Sequence, residues 1–189
     1  MAPRLVTDSQ LIDRLTELFR RAGFDGASLG DIAVATGLQK SSLYHRFPGG
    51  KQQMATEVAA AVGERFATSI LAPLSTDSPL SERVVAVGRN LDRFYEGGTR
   101  NCLLDMLSVG EAGAEAAAKL AAAASGWIAA FSTVAREAGA DTATAIARAQ
   151  DAVAAIEGAL VVARVTGDKR PFSRAIERLG DVLISGLVR

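Results

Sequence analysis

Only one cysteine, one histidine and one tryptophan occur among 189 residues, and aromatic side chains make up 5% of the sequence. A single cysteine excludes an intrachain disulfide and leaves nothing to suggest an oxidising compartment, so a cytoplasmic location is expected. Cys102 and His45 lie far apart, with no metal-ligand cluster around either. A G-x-S-x-G elbow and a G-x-G-x-x-G after a strand are both missing. Gly49-Gly50-Lys51 lacks the earlier glycine, the following hydroxyl residue and the preceding strand of a phosphate loop. No enzyme activity, cofactor or metal is predicted. Neither sign of charge is in excess, with 21 Lys and Arg against 21 Asp and Glu. The chain as a whole therefore carries no basic signal for nucleic acid.

Long apolar runs are also missing. The N-terminus breaks at Thr7, Asp8 and Gln10 instead of offering the apolar centre of a signal peptide, and no uninterrupted run reaches bilayer length. No membrane association is expected. What is plentiful is alanine: 49% of the residues are hydrophobic with few aromatics among them, which favours closely packed helices over a sheet. The fold class expected is all-α, with length enough for one or two domains with a real core.

The most informative stretch is Ser28 to Lys51. Ser28 can cap a helix that Asp31 answers from its first turn, with Leu29, Ile32 and Ala33 on one face. Gly37 stands where a left-handed residue would stop it. A second helix, roughly Gln39 to Phe47, carries Leu43 and Phe47 on one side and Gln39, Lys40, Ser42 and His45 on the other. Two short helices joined by a tight turn, the second with a polar outer face, is the arrangement that lays a recognition helix in the major groove. Through Lys51, seven basic residues (Arg4, Arg14, Arg20, Arg21, Lys40, Arg46, Lys51) stand against five acidic ones (Asp8, Asp13, Glu17, Asp25, Asp31). This small excess suits a binder with few phosphate contacts per subunit and would also arise by chance.

Helical stripes account for the rest. Thr7 to Gln10 forms a capping box ahead of Leu11, Ile12, Leu15, Leu18, Phe19 and Ala22, with a stop at Gly23. Arg20 and Arg21 read as a solvated face of that helix. A long helix runs from Lys51 to about Leu71 with Met54, Val58, Val62, Phe66 and Ile70 aligned, before Pro73 ends it. Further helices are predicted over about 79–96, 101–109, 112–138, 141–166 and 171–188, the last from Pro171 to Val188 with Ile176, Leu179, Leu183 and Leu187 as its stripe. Leu91, Phe94, Tyr95, Cys102, Leu103, Met106, Trp127 and Phe131 hold most of the larger side chains of this part. They are candidates to line an apolar pocket, with Arg93, Arg100 and Asp105 as polar contacts. Core filling explains the same residues equally well, and Cys102 reads better as a small buried hydrophobe than as a sensor thiol.

The pattern G-F-D-G-A-S-L-G-D-I-A-x-x-x-G-L-x-K-x-S-L-Y-H-R-F-P-G-G-K, from Gly23 to Lys51, resembles the N-terminal DNA-binding domain of TetR-family transcriptional repressors. Its F-P-G-G-K ending is similar to the subgroup that includes repressors of multidrug-efflux genes. It departs from the commoner residues of the family at Gln39, often Ser or Thr, and at Ser41, often Gly. The resemblance implies a helix-turn-helix domain over 1–50 and a helical ligand-binding and dimerisation domain over 51–189. It implies contact of Ser28, Gln39, Lys40, Ser41, Ser42, Tyr44, His45 and Lys51 with double-stranded DNA. Gln39, Lys40, Ser41 and Ser42 suit base edges, while Tyr44, His45 and Lys51 suit phosphates and Ser28 both caps and contacts. A homodimer through the last two helices, released from a near-palindromic operator by a small hydrophobic or aromatic effector, is the function implied. A ligand-independent DNA-binding adaptor with the same head is the alternative.

Overall fold

The structure, a computed structural model, describes residues 6–186; Arg4, Leu187 and Val188 lie outside the described residues. Among the described residues the secondary structure is helical throughout. The chain divides into two compact units, one formed by 1–64 with 103–121 and the other by 65–102 with 122–189.

In the first unit, α1 (Asp8–Gly26) opens with the Thr7–Gln10 capping box and is broken internally at Gly23, whose φ of 68° is a left-handed value. A side chain there would bring its Cβ within 3.2 Å of the Met106 carbonyl oxygen, so glycine serves both the turn and a close approach. α2 (Leu29–Thr36) has the capping box of Ser28 and Asp31 and ends on Gly37 in the αL conformation. α3 (Lys40–Arg46) follows after three linking residues, Gly37 to Gln39, and α4 (Gly50–Ser69) after the F-P-G turn. Leu15, Phe19, Ile32, Leu43, Phe47, Met54 and Val58 form one buried core.

That core recruits a segment from much later in the chain. Leu103 and Leu107 of α6 (Leu103–Ser108) are buried in it, together with Ala112, and with Ala116 and Leu120 from the start of α7 (Ala114–Glu137). The unit boundary therefore falls inside α4 and α7, where a domain boundary at 50/51 was expected. Leu103 and Met106, expected in an effector pocket, belong to this first unit. The reason is burial: α6 has four apolar positions in six residues and lies against α1, where Leu103 and Leu107 are removed from water.

In the second unit, α5 (Leu80–Phe94) buries Val84, Val87 and Leu91. α8 (Thr142–Thr166) is capped by Asp141, whose side chain accepts from the Thr144 backbone N–H, and it ends at Gly167 in αL. The predicted last helix is two: α9 (Arg170–Glu177) and α10 (Leu179–Ile184), separated at Arg178. They pack on both α5 and α8. Gly88 allows the approach of α5 to α9, its absent Cβ leaving 3.3 Å to Ile176 Cγ2. Arg148 Nη1 donates to the Ser185 carbonyl at 2.9 Å, tying α8 to the end of α10.

α7, with 24 residues, is long and apolar enough to cross a bilayer by length and composition, although Glu115, Lys119, Arg136 and Glu137 interrupt it. Alanine supplies most of that apolarity, and Trp127, Phe131 and Val134 are buried within the protein.

Candidate nucleic-acid interface

α3 is seven residues long, too short to be stable alone. Its inner face holds it: Leu43 is 1% exposed and Phe47, just past its end, is fully buried. Burial of each of these side chains contributes about 2 kcal/mol. Gln39 occupies the N-cap position without a capping hydrogen bond from its side chain, so its amide is uncommitted at the cap. Gln39, Lys40, Ser41, Ser42, Tyr44 and His45 are all exposed. They form one polar surface on the outer side of the helix, and Tyr44 keeps half its area in solvent.

Charge clamps orient this helix. Arg46, in its last turn, donates from Nη1 and Nη2 to the two carboxylate oxygens of Glu57 on α4, at 3.2 and 3.0 Å, and from Nε to Asp8 Oδ1 on α1 at 3.2 Å. These carboxylates raise the Arg46 pKa above its ordinary value, the Glu57 hydrogen bonds contributing most. Gln53 extends the network by donating to Glu57 Oε1 at 2.9 Å and accepting from the Gly49 backbone N–H at 2.8 Å. Arg46 thus spans three helices. No local sequence signal could show this, because Asp8 is 38 positions away. Arg14 was missed altogether: its Nη1 donates to the Thr36 carbonyl at 2.6 Å, serving the orphan carbonyls at the end of α2.

Ser28 and Lys51 differ in what they leave free. The Ser28 hydroxyl donates to Asp31 Oδ2 at 2.6 Å and accepts from the Asp31 backbone N–H at 3.1 Å, while the residue as a whole stays exposed. The Ser28 hydroxyl first, and then the Ser28 backbone N–H that donates to the same oxygen at 3.0 Å, lower the Asp31 pKa. Lys51 was expected at a phosphate, yet its ammonium donates to the Phe24 and Ala27 carbonyls at 2.9 and 3.1 Å and lies 4.2 Å from the centre of the Phe24 ring. The structure makes it an internal tether between α4 and the end of α1. Arg20 departs likewise from the solvated face expected of it, being buried with Glu17 4.0 Å away.

Of the residues proposed to line an effector pocket, Leu91, Phe94, Tyr95, Cys102, Trp127 and Phe131 fall in the second unit. Trp127 packs on Phe66 at 4.7 Å and on Phe131 at 5.9 Å between ring centres, and Phe66 meets Phe94 edge-on at 5.5 Å. Tyr95 continues the series to Phe172 at 5.9 Å, and its hydroxyl lies 3.4 Å from Cys102 Sγ. Phe66 and Phe172, absent from the predicted set, complete this cluster; the helical register of Phe66 was legible, but its partners were not. Arg100 stacks over the Phe94 ring at 5.7 Å. Arg93 instead borders an open cleft of about 600 Å³ between α5 and α9–α10, and Asp105 belongs to the first unit.

A short, exposed recognition helix clamped onto two longer ones, followed by a larger helical unit, defines a helix-turn-helix protein. The sequence model of the tetR family of bacterial regulatory proteins matches residues 11–58, and that of the LmrA/YxaF-like transcriptional regulator C-terminal domain matches residues 89–178. The chain belongs to the TetR family. It is 42% identical over 48 residues to the HTH-type transcriptional regulator LmrA of Bacillus subtilis, a match covering 25% of this chain and 26% of that protein. The match thus spans about a quarter of LmrA. A TetR transcriptional regulator from Legionella pneumophila has the same fold, with a TM-score of 0.84 and 18% identity over 96% of this chain and all of that one. A CifR cysteine mutant, solved with 26-base-pair double-strand operator DNA, superposes with a TM-score of 0.76 and 21% identity over 97% of this chain and 99% of that one.

Proposed function

We propose that the protein is a dimeric transcriptional repressor that leaves a near-palindromic operator when a small hydrophobic or aromatic molecule binds its second unit. The observation that carries this reading is α3, whose exposed Gln39, Lys40, Ser41, Ser42, Tyr44 and His45 have no packing role while Leu43 and Phe47 anchor the opposite side. Gln39 can pair bidentately with adenine, Lys40 can reach guanine, and the two serines suit either base edge. Tyr44 and His45 would contact phosphates and fix the register. Ser28, exposed at the start of α2, would add a phosphate contact to its capping role. Lys51 contributes by holding the head together.

Dimerisation through the last helices is supported by the outer face of α8. Ala143, Ile146, Ala147, Gln150 and Ala154 recur there at three- and four-residue spacing and are exposed, and Val165 lies three turns further along the same side. Val165 keeps 76% of its surface. An isologous contact between two such faces would remove it from water, and paired recognition helices would then meet successive major grooves about 34 Å apart. An effector shifts such a repressor only by binding the DNA-incompetent state more tightly.

Selection of bound sequences from random DNA tests the reading. A near-palindrome with half-sites one helical turn or a multiple apart is expected, and an asymmetric or absent consensus would refute it. A chain that binds such an operator but is released by no compound in an aromatic ligand screen would instead be the ligand-independent adaptor.

A further inference from the structure

The cleft of about 600 Å³ between α5 and α9–α10 lies wholly within the second unit and has the size of a small-ligand site. Its floor is apolar, formed by Val84, Gly88, Ile176 and Leu179. Its two walls differ in charge: α5 contributes Arg89, Asp92 and Arg93, while Glu177 and Asp181 stand on the other side. Arg89 and Arg93 are four residues apart on one helix, a spacing at which like charges repel. Yet no ion pair crosses the cleft. Arg89, Asp92 and Glu177 make no hydrogen bond or ion pair among the described residues, Arg93 donates to Asn90 on its own helix, and Asp181 accepts from the Ser185 hydroxyl. Gly180, in the first turn of α10, also lines the cleft. A Cβ there would meet nothing within 4 Å, so no close approach calls for glycine, and a helix is less stable for having one. Its effect is to keep the floor of the cleft bare.

We propose that this cleft is a ligand site in its own right, separate from the surface of α3 and from the aromatic cluster around Trp127, and that it takes a short apolar peptide with both termini free. The terminal carboxylate is held by Arg89 and Arg93, whose guanidinium forks match its two oxygens. The terminal ammonium is held by Glu177 and Asp181. Apolar side chains between the termini cover Val84, Ile176 and Leu179 and remove them from water. A peptide can bridge the walls because its opposite charges sit at the two ends of an extended chain, which gains about 3.3–3.6 Å per residue. A hydrocarbon would cover the floor and leave both walls unpaired, and a ligand charged with one sign alone would be repelled by one of them.

Trileucine is the probe, and its N-acetyl and C-amide derivatives, each lacking one terminal charge, are the matched controls. Titration calorimetry on the full-length protein should show trileucine binding at least tenfold tighter than either derivative. Arg89→Gln should cut the preference over the C-amide severalfold and leave the preference over the N-acetyl form unchanged, and Glu177→Gln should do the reverse. Gly180→Leu should abolish binding by filling the floor. Arg89 and Glu177 are exposed and Gly180 has open space before it, so the variants should unfold at the wild-type temperature. No binding of trileucine, equal affinities for the three peptides, or binding undiminished in Gly180→Leu would each overturn the proposal. Preferences left unchanged by both charge substitutions would overturn it as well, by placing the peptide elsewhere. Should one variant fail to fold, the wild-type comparison and the remaining variants decide.

Discussion

The Arg46 guanidinium and the Glu57 carboxylate meet through two parallel hydrogen bonds, of 3.2 and 3.0 Å, that fasten the recognition helix to α4. Both side chains are about a third exposed, so solvent screening limits the pair to about 0.5–1 kcal/mol of stability. Its larger effect is on orientation, because the fork geometry fixes an angle as well as a distance.

Glu57→Gln should weaken operator binding severalfold without changing its salt dependence, since no cation is removed. Arg46→Lys should do the same, a point charge being unable to hold both oxygens. Filter binding at several salt concentrations checks both. If Glu57→Gln instead tightens binding, by freeing Arg46 for phosphate, the clamp is not what positions the helix.

Lys51→Met should destabilise the first unit by about 1–2 kcal/mol through the loss of two charge-assisted hydrogen bonds to carbonyls. Urea unfolding measures this. The slope of operator affinity against salt should stay at the wild-type value, and a slope reduced by about one unit would return Lys51 to the phosphate contacts.

Lys40 is exposed on α3 and makes no structural contribution to the core, so Lys40→Ala should leave stability within about 0.5 kcal/mol of wild type. Its operator affinity should fall. A change in the selected consensus at one base pair identifies a base contact, whereas a uniform loss with a shallower salt slope identifies a phosphate. Tyr44→Ala is expected to give the uniform loss.

Asp31 has its pKa lowered by the Ser28 hydroxyl and backbone N–H. A carboxyl depressed in the folded state contributes stability that is present above its unfolded pKa, 3.8 for an ordinary aspartate, and is lost as pH falls through the folded value. In Ser28→Ala the Asp31 pKa should move back up toward 3.8, and the share of the acid limb of unfolding that Asp31 contributes should flatten. Side-chain carboxyl NMR follows the titration. An unmoved Asp31 would mean that the backbone, not the hydroxyl, holds it.

Val165→Glu places a charge on the outer face of α8, at a position 76% exposed in one chain. Within one protomer this costs little. In a dimer built on that face it sets two carboxylates close to the symmetry axis, so sedimentation should show monomers at concentrations where the wild type is dimeric, with operator affinity lost in parallel. A variant that remains dimeric would assign the interface elsewhere.

The local devices of the head are legible in the amino-acid order alone: the two capping boxes, the glycine stops at Gly23 and Gly37, and the inner and outer faces of α3 with Gln39 uncapped. Each depends on residues within about four positions, and a helix expresses such spacings directly. Tertiary structure alone decided what the long charged side chains do. Lys51 reaches carbonyls 24 and 27 positions back, Arg46 a carboxylate 38 positions back, and Arg14 a carbonyl 22 positions on. It also decided that α6 completes the core of the head and that the last helix breaks at Arg178. An apolar stripe states that a face will be buried and leaves open against which neighbour. A flexible cation states its charge, while its partner is set by whichever acceptor folding brings within about 3 Å.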